Sequence, residues 1–329
     1  SVVLAGGVWA QNCSIEPLNT VAFDGYGWVM AAFDEDGAGP APARLFLGGD
    51  LKRAGTAVNR HIARWDGSAW SAVAGDPLTE SPSSMVVCDS GSGEALYIIA
   101  GRKLWRYTGQ NWSVVPAPSS VSQWTEPLSI TRMDSDGPGP EREALRVIWG
   151  EQRCNEWYCW YATQLFRFDG VSWEAQTAWE DPGWYGKLFV YDSDGEGGPL
   201  APELYMISYS RSWVLRLVNQ MWVPISDEGT AICAAVHDSD GAGPGTPLLY
   251  VGGQFGAVGV YPATVPAANI AAWDGSVWRS VGGGIPSNGY VRSLATYDPD
   301  GGGPRPEVLV AAGVFKKADG APADWFTMW

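Results

Sequence analysis

Short apolar runs alternate with turn signals along the chain, and one pair of runs recurs six times. The first run of each pair ends in an acidic turn, as in AAFDEDGAGP at 31–40 and AVHDSDGAGP at 235–244. A second apolar run follows, such as LFLGG or LYVGG. Short apolar runs bounded by Gly, Pro and Asp predict β-strands. Because no helical period of 3.6 residues is sustained, we predict an all-β protein.

A second motif, aromatic–x–Gly–x–x–Trp, follows most of these pairs. Glycine and aspartate tolerate positive φ, so each copy predicts a tight hairpin between two further strands. The copies are RWDGSAW (64–70), RYTGQNW (106–112), RFDGVSW (167–173), AWDGSVW (272–278) and the degraded RLVNQMW (216–222). Each repeat therefore predicts four strands, which we call a to d.

The repeat length predicts a β-propeller of four-stranded blades. Aspartates of successive acidic turns lie 45 to 60 residues apart, in the range of propeller blades. Six blades are the first interpretation and seven the alternative, in a single domain over 1–329. The repeats span approximately 28–75, 84–116, 128–176, 187–226, 231–282 and 291–329. The last repeat stops at strand c, so we expect a strand from 1–27 to close the ring.

Composition narrows the classes of partner. The 329 residues carry a net charge of −15, which disfavours nucleic acid and anionic membrane surfaces and suits cations or neutral polymers. No apolar stretch of 18 residues is present, so we expect no membrane span. Catalytic motifs such as GxSxG or HExxH are absent, and the chain has only two histidines.

The cysteines predict one local disulfide. Cys154 and Cys159 are close in CNEWYC, where a bridge would pin a long loop. Cys88 and Cys233 lie in apolar runs and are interpreted as buried free thiols. The N-terminal SVVLAGGVWAQ resembles the tail of a secretory signal peptide. A structural strand is the favoured interpretation of that segment, and the signal remnant remains an alternative.

Two resemblances follow from these motifs. The LYVGG…NIAAWDGSVW pattern resembles the repeats of secreted bacterial propeller proteins, common in planctomycetes, over nearly the whole chain. This resemblance implies a secreted, extracellular or cell-surface protein. The turn DSDGAGP resembles the calcium loop of FG-GAP propellers, although Ala242 stands where that loop has an acidic ligand.

The acidic turns therefore have two interpretations. In the first, which the FG-GAP resemblance implies, they hold calcium as a cofactor. In the second, each is a solvated hairpin whose aspartates cap their own backbone amides. The calcium ligands would be Asp34, Asp36, Asp134, Asp136, Asp192, Asp194, Asp238, Asp240, Asp298 and Asp300. Asp89 lacks a second aspartate in its turn and is not included.

Aromatic residues outside the repeat predict a ligand-binding surface. Tryptophans at one repeat position (Trp70, Trp112, Trp173, Trp222 and Trp278) are interpreted as packing between blades. The expanded b–c connection of the third blade and two d–a connections carry unshared aromatics on one face of a propeller. These candidates are Trp157, Tyr158, Trp160, Tyr161, Trp179, Trp184, Tyr185 and Trp124.

The leading functional hypothesis is a non-enzymatic secreted scaffold that binds a glycan or a protein surface through these aromatics. The first alternative is a structural subunit of a larger extracellular assembly. The second is a polysaccharide hydrolase or lyase, because carboxylates share the aromatic-rich segments. Those carboxylates are Glu151, Glu156, Glu180 and Asp181.

Overall fold

The fold was analysed in a computed structural model. It describes residues 23–37, 39, 43–55, 57–66, 69–91, 93–136, 142–157, 159–179, 186–195, 198–208, 213–240, 245–286, 288–297, 307–323 and 326–328. These residues belong to two compact units, with the boundary between Val190 and Tyr191. No helix in the described ranges is long and apolar enough to cross a membrane.

The unit before the boundary holds three antiparallel four-stranded sheets, with strands neighbouring each other in chain order. The first sheet contains β1 (Phe23–Phe33), β2 (Arg44–Ala54), β3 (Ala57–Trp65) and β4 (Trp70–Ala72). The second contains β5 (Ser84–Cys88), β6 (Ala95–Ala100), β7 (Lys103–Tyr107) and β8 (Trp112–Val115). The third contains β9 (Glu126–Met133), β10 (Ala144–Cys154), β11 (Cys159–Phe168) and β12 (Trp173–Trp179).

Three further sheets follow, and the unit boundary falls within the first strand of the fourth sheet. That sheet contains β13 (Gly186–Tyr191), β14 (Glu203–Ser208), β15 (Val214–Val218) and β16 (Met221–Ser226). The fifth contains β17 (Thr230–His237), β18 (Leu248–Gln254), β21 (Ile270–Trp273) and β22 (Trp278–Ser280), with a hairpin of β19 (Ala257–Val260) and β20 (Ala263–Pro266) between β18 and β21. The sixth contains β23 (Tyr290–Tyr297), β24 (Val308–Val314) and β27 (Phe326–Met328), with a hairpin of β25 (Lys317–Ala318) and β26 (Ala321–Pro322) before β27.

The prediction of an all-β, six-bladed propeller fold is confirmed. Five of the sheets are blades with strands in the order a, b, c and d, and the sixth has strands a, b and c among the described residues, as the repeat pattern indicates. Strand a of the first blade begins at Phe23 rather than near Trp28, because β1 pairs with the whole of the long strand β2, from Phe23↔Ala54 onward. The expected closing strand falls on 1–22, outside the described residues.

The repeated aromatic–x–Gly–x–x–Trp motif forms the c–d hairpin of the first, second, third and fifth blades. Its first aromatic residue and its tryptophan are direct cross-strand partners, as in Tyr107↔Trp112 and Phe168↔Trp173. Ring centroids in both of these pairs are 4.6 Å apart. Such cross-strand aromatic pairs stabilise an antiparallel hairpin locally. The motif is therefore a self-contained unit of blade structure.

In the second, third and fifth blades the tryptophan of this motif also joins the blade to the preceding one. The Trp112 indole Nε1–H donates to the carbonyl oxygen of Ala74, just after strand d of the first blade, at 3.0 Å. Equivalent bonds run from Trp173 to Pro116 at 2.8 Å and from Trp278 to Ile225 at 2.7 Å. These three contacts agree with the interpretation of the repeated tryptophans as packing between blades.

A glycine in the c–d turn makes a second contact between consecutive blades. Gly170 has φ 93°, and a Cβ there would lie 2.3 Å from the carbonyl oxygen of Ser90 in the a–b turn of the preceding blade. Gly109 has φ 85° and approaches Glu35 in the same way. A side chain is excluded both by the positive φ and by this close approach. The a–b and c–d turns therefore lie on the same side of the blades.

The core of each unit is formed mainly between neighbouring blades. In the first unit, Phe46 and Ile62 of the first blade pack with Leu96 and Ile98 of the second. Cys88 and Cys233 are buried and carry reduced thiols. Burial and the neighbouring Glu143 raise the pKa of Cys88 to about 12, so its thiol stays protonated near neutral pH.

Glu35 forms a charged junction between the first and second blades. Its carboxylate accepts hydrogen bonds from Arg44 and Arg64, each at 2.6 Å, and from the Tyr107 hydroxyl at 2.7 Å. The side chain is 11% exposed. Burial alone would raise the pKa of Glu35, but the hydrogen bonds from Tyr107 and the two arginines outweigh burial and lower it.

We predict that Glu35→Gln destabilises the protein at neutral pH by about 1–3 kcal/mol. Because the folded state lowers the pKa of Glu35, its carboxylate stabilises the fold above the unfolded value of about 4.3. That stabilisation is lost as the pH falls through the folded pKa. Urea unfolding measures the difference in free energy of unfolding between the wild type and Glu35→Gln. This difference should be constant from about pH 6 to 8 and should shrink below about pH 4.

Glu94→Gln is the control, since Glu94 is an exposed residue of the second blade's a–b turn. It should change the free energy of unfolding by less than about 0.5 kcal/mol. A Glu35→Gln effect that matches this control, or that does not change with pH, would contradict the role given to the junction.

Candidate functional site

The b–c connection of the third blade is an extended ribbon. Among the described residues, strand β9 pairs with β10 as far as Gly150↔Glu126, and β12 pairs with β11 as far as Thr163↔Trp179. Beyond these points β10 and β11 continue pairing as two strands, from Glu151↔Ala162 to Cys154↔Cys159. We call residues 151–162 the ribbon. It extends past the four-stranded part of its blade.

A disulfide bond closes the end of the ribbon. Cys154 and Cys159, the last cross-strand pair, are joined covalently. In the turn beyond them, the Asn155 side-chain oxygen accepts a hydrogen bond from the Trp157 backbone N–H at 2.8 Å. The Trp157 side chain is 86% exposed. Its backbone is thus held by a local turn while its indole faces solvent.

The d–a connection before the third blade presents a second exposed indole. Turns over 118–121 and 122–125 are closed by backbone hydrogen bonds. The Trp124 backbone N–H donates to the Ser122 hydroxyl at 3.2 Å, and the Trp124 carbonyl accepts from the Arg102 guanidinium at 2.8 Å. The side chain of Trp124 is 63% exposed. Trp124 is therefore held through its backbone on both sides.

Arg102 connects three parts of this surface. It lies in the b–c turn of the second blade, with φ 61°, and forms an ion pair with Glu126 of β9 at 2.8 Å. Its bond to Trp124 places a b–c turn against a d–a connection, as expected for one side of a propeller. We call the surface formed by Arg102, residues 118–126 and the ribbon the aromatic face.

Two clefts open on the aromatic face. The Trp124 cleft has a volume of 370 Å³. It is lined by Arg102, Trp124, Glu126, Glu151 and Gln152. The Gln164 cleft has a volume of 320 Å³. It is lined by Ser120, Val121, Ser122, Thr125, Trp149, Glu151, Arg153, Ala162, Thr163 and Gln164.

Charge in the two clefts is balanced by ion pairs. Arg102 pairs with Glu126, and Arg153 pairs with Glu151 at 3.4 Å. The other lining groups are neutral, and they include hydroxyl and amide side chains. Such groups both donate and accept hydrogen bonds. The clefts therefore suit a ligand that is polar and uncharged.

The structure describes the side chains of only some of the aromatic residues that the sequence predicts to bind a ligand. Trp124 and Trp157 are exposed on the aromatic face. Trp160, Tyr161 and Trp179 lie in strands at the ribbon or its base, but their side chains are outside what the structure describes. Tyr158, Trp184, Tyr185, Glu180 and Asp181 also lie outside the described residues. Glu156 is exposed in the turn of the ribbon.

Sequence reasoning missed Arg102, Glu126 and Gln152. Arg102 lies in the tight turn GRKL (101–104), which contains no aromatic residue. The available clue was topological, since a b–c turn lies on the same side of a blade as the d–a connections. A guanidinium in that turn can therefore reach the connection to the next blade.

The acidic turns, on the opposite side of the blades, use their first aspartate as a local acceptor. Asp34 accepts from the Asp36 backbone N–H at 3.1 Å, and Asp238 accepts from that of Asp240 at 3.2 Å. The turns at Asp134/Asp136 and Asp192/Asp194 repeat this bond, whereas Asp298 and Asp300 lie outside the described residues. Burial and the neighbouring Asp194 carboxyl raise the pKa of Asp192.

Calcium needs six to eight oxygen ligands. Within the described ranges no group of three or more His, Cys, Asp or Glu side chains is placed to hold a metal ion. The bonds in the acidic turns are those of the hairpin interpretation. Calcium binding at these turns remains a prediction from the sequence.

Comparisons with known proteins bear on the fold. No protein-family profile matches the sequence, and no curated protein matches it. A crystal structure of BBS1N in complex with ARL6DN, soaked with lead, is similar over 89% of this chain and 79% of that chain, with a TM-score of 0.55 at 12% identity. A mercury-soaked crystal of the same complex matches over 89% and 91%, with a TM-score of 0.48 at 12% identity.

The first of these likenesses agrees with the propeller fold derived from the sheets. At 12% identity it shows the fold alone. The function of this chain has to be argued from its own aromatic face.

We predict that Trp157→Ala changes the free energy of unfolding by less than about 0.5 kcal/mol, because the indole is exposed. The matched variant in the same blade, Trp173→Ala, should cost roughly 3 kcal/mol, because it removes a packed ring and the bond to Pro116. Urea unfolding of both variants checks this. Equal losses would show that Trp157 belongs to the local core.

Proposed function

We propose that this protein is a secreted, non-enzymatic binding module that holds a glycan on its aromatic face. The observation that carries this proposal is Trp124. Its indole is 63% exposed beside a polar cleft, while its backbone is bonded to Arg102 and Ser122. An immobilised, exposed aromatic ring contributes contact area at a low cost in conformational entropy.

The rest of the aromatic face supports a contact with a partner. Trp157, in the turn of the ribbon, gives this face a second exposed indole. Exposed aromatic residues that are grouped on connecting segments are typical of interaction sites. The net charge of −15 disfavours polyanionic partners, whereas neutral sugars need no basic surface.

The carboxylates of the face support binding rather than hydrolysis. A glycosidase needs a carboxyl group that stays protonated to act as general acid. Glu126 and Glu151 are each engaged in an ion pair with an arginine of the same face. In this proposal both carboxylates accept hydrogen bonds from sugar hydroxyls.

An extracellular location fits the ribbon. Its Cys154–Cys159 bond is of the kind that persists in oxidising compartments and is rare in the cytosol. We therefore propose that the aromatic face meets glycans outside the cell or at its surface.

We predict that a glycan array retains the wild-type protein and that Trp124→Ala weakens binding at least about tenfold, as expected for truncation of a central contact. Tyr261→Ala is the matched control, since Tyr261 is 77% exposed on the β19–β20 connection of another blade. It should leave binding unchanged. The retained glycans should remain intact on prolonged incubation, as judged by reducing-end release.

Three outcomes would overturn the proposal. Release of new reducing ends would make the protein a hydrolase. Binding that is equally sensitive to Tyr261→Ala would place the site elsewhere. Retention of no glycan, combined with a solution mass that shows a stable oligomer, would favour the structural-subunit alternative. If the partner is a protein, as ARL6DN is in the BBS1N complex, the glycan array would likewise retain nothing.

A further inference from the structure

Glu151 lines both clefts of the aromatic face. It is the first residue of the ribbon, where β10 leaves the four-stranded part of its blade. The next residue, Gln152, lines only the Trp124 cleft, and Arg153 lines only the Gln164 cleft. The two clefts are therefore neighbours that share Glu151.

The two clefts differ in chemistry. The Trp124 cleft offers an exposed indole together with charged and amide groups. The Gln164 cleft has no exposed tryptophan of this kind, because its Trp149 is buried, and it offers hydroxyls and an amide instead. A ligand ring with an apolar face and polar edges fits the Trp124 cleft. A ligand needs only hydroxyl groups to form hydrogen bonds in the Gln164 cleft.

Size and charge restrict the ligand. With 370 and 320 Å³, each cleft is at the small end of the range for ligand sites, so one long ligand would need both. The two arginines offset the two glutamates, so neither an acidic nor a basic chain gains net attraction. The net charge of −15 on the protein further disfavours binding of polyanions.

We infer that the two clefts are adjoining subsites for consecutive sugars of an uncharged oligosaccharide. One sugar stacks on Trp124, and the chain passes over Glu151 so that a following sugar contacts Gln164. This inference rests on the proposed glycan-binding function and adds the class of glycan and the way in which it is bound.

The test uses isothermal titration with linear glucose, mannose and xylose oligosaccharides of two to six sugars, and with uronic-acid chains of the same lengths. We expect the affinity for the retained neutral series to rise between two and four sugars and then to level off. Gln164→Ala should lower the affinity for the four-sugar chain about tenfold and leave the two-sugar affinity unchanged, whereas Trp124→Ala should weaken both. Tyr261→Ala is the control, and unchanged melting temperatures confirm that the variants fold.

The outcomes separate the two proposals. Affinity that does not depend on length, insensitivity to Gln164→Ala, or preference for uronic-acid chains overturns the two-subsite inference, while the loss caused by Trp124→Ala still supports glycan binding at the face. If no chain of either kind binds, or if Trp124→Ala has no effect on binding, both proposals fail.

Discussion

The bond between a tryptophan indole and a backbone carbonyl of the preceding blade is the contact on which this structure depends. Trp112, Trp173 and Trp278 each donate such a bond, to Ala74, Pro116 and Ile225. An indole has one donor and no acceptor, so a carbonyl just beyond or near the end of strand d satisfies it completely. Within each unit, the same side chain therefore pairs across its own hairpin and fixes the junction with the preceding blade.

This arrangement assigns different roles to the two sides of the blades. On the side of the a–b and c–d turns, close contacts such as Gly170 against Ser90 leave little room for variation in length. Connections on the other side differ in length from blade to blade: the b–c turn of the second blade is tight, whereas some other connections carry additional segments. The ribbon and the Trp124 turn are additions of this kind, and exposed aromatics gather there.

Local chemistry explains which features were predictable from the sequence. The c–d hairpins followed from a motif whose aromatic partners lie five residues apart, as in Phe168 and Trp173. The acidic turns and the Cys154–Cys159 pair are equally local. Arg102 could not be assigned in this way, because its contacts with Trp124 and Glu126 depend on how consecutive blades pack. The start of β1 at Phe23 likewise depends on the length of its partner strand.

The central claim is that the tryptophans divide into a packing set and a binding set. Indole N–H signals in ¹⁵N-labelled protein, assigned by single Trp→Phe variants, test this division directly during titration with a retained oligosaccharide. The account predicts that Trp124 exchanges rapidly with solvent and shifts on binding, while Trp112, Trp173 and Trp278 are protected and do not shift. Shifts confined to the protected set, with Trp124 unchanged, would contradict it.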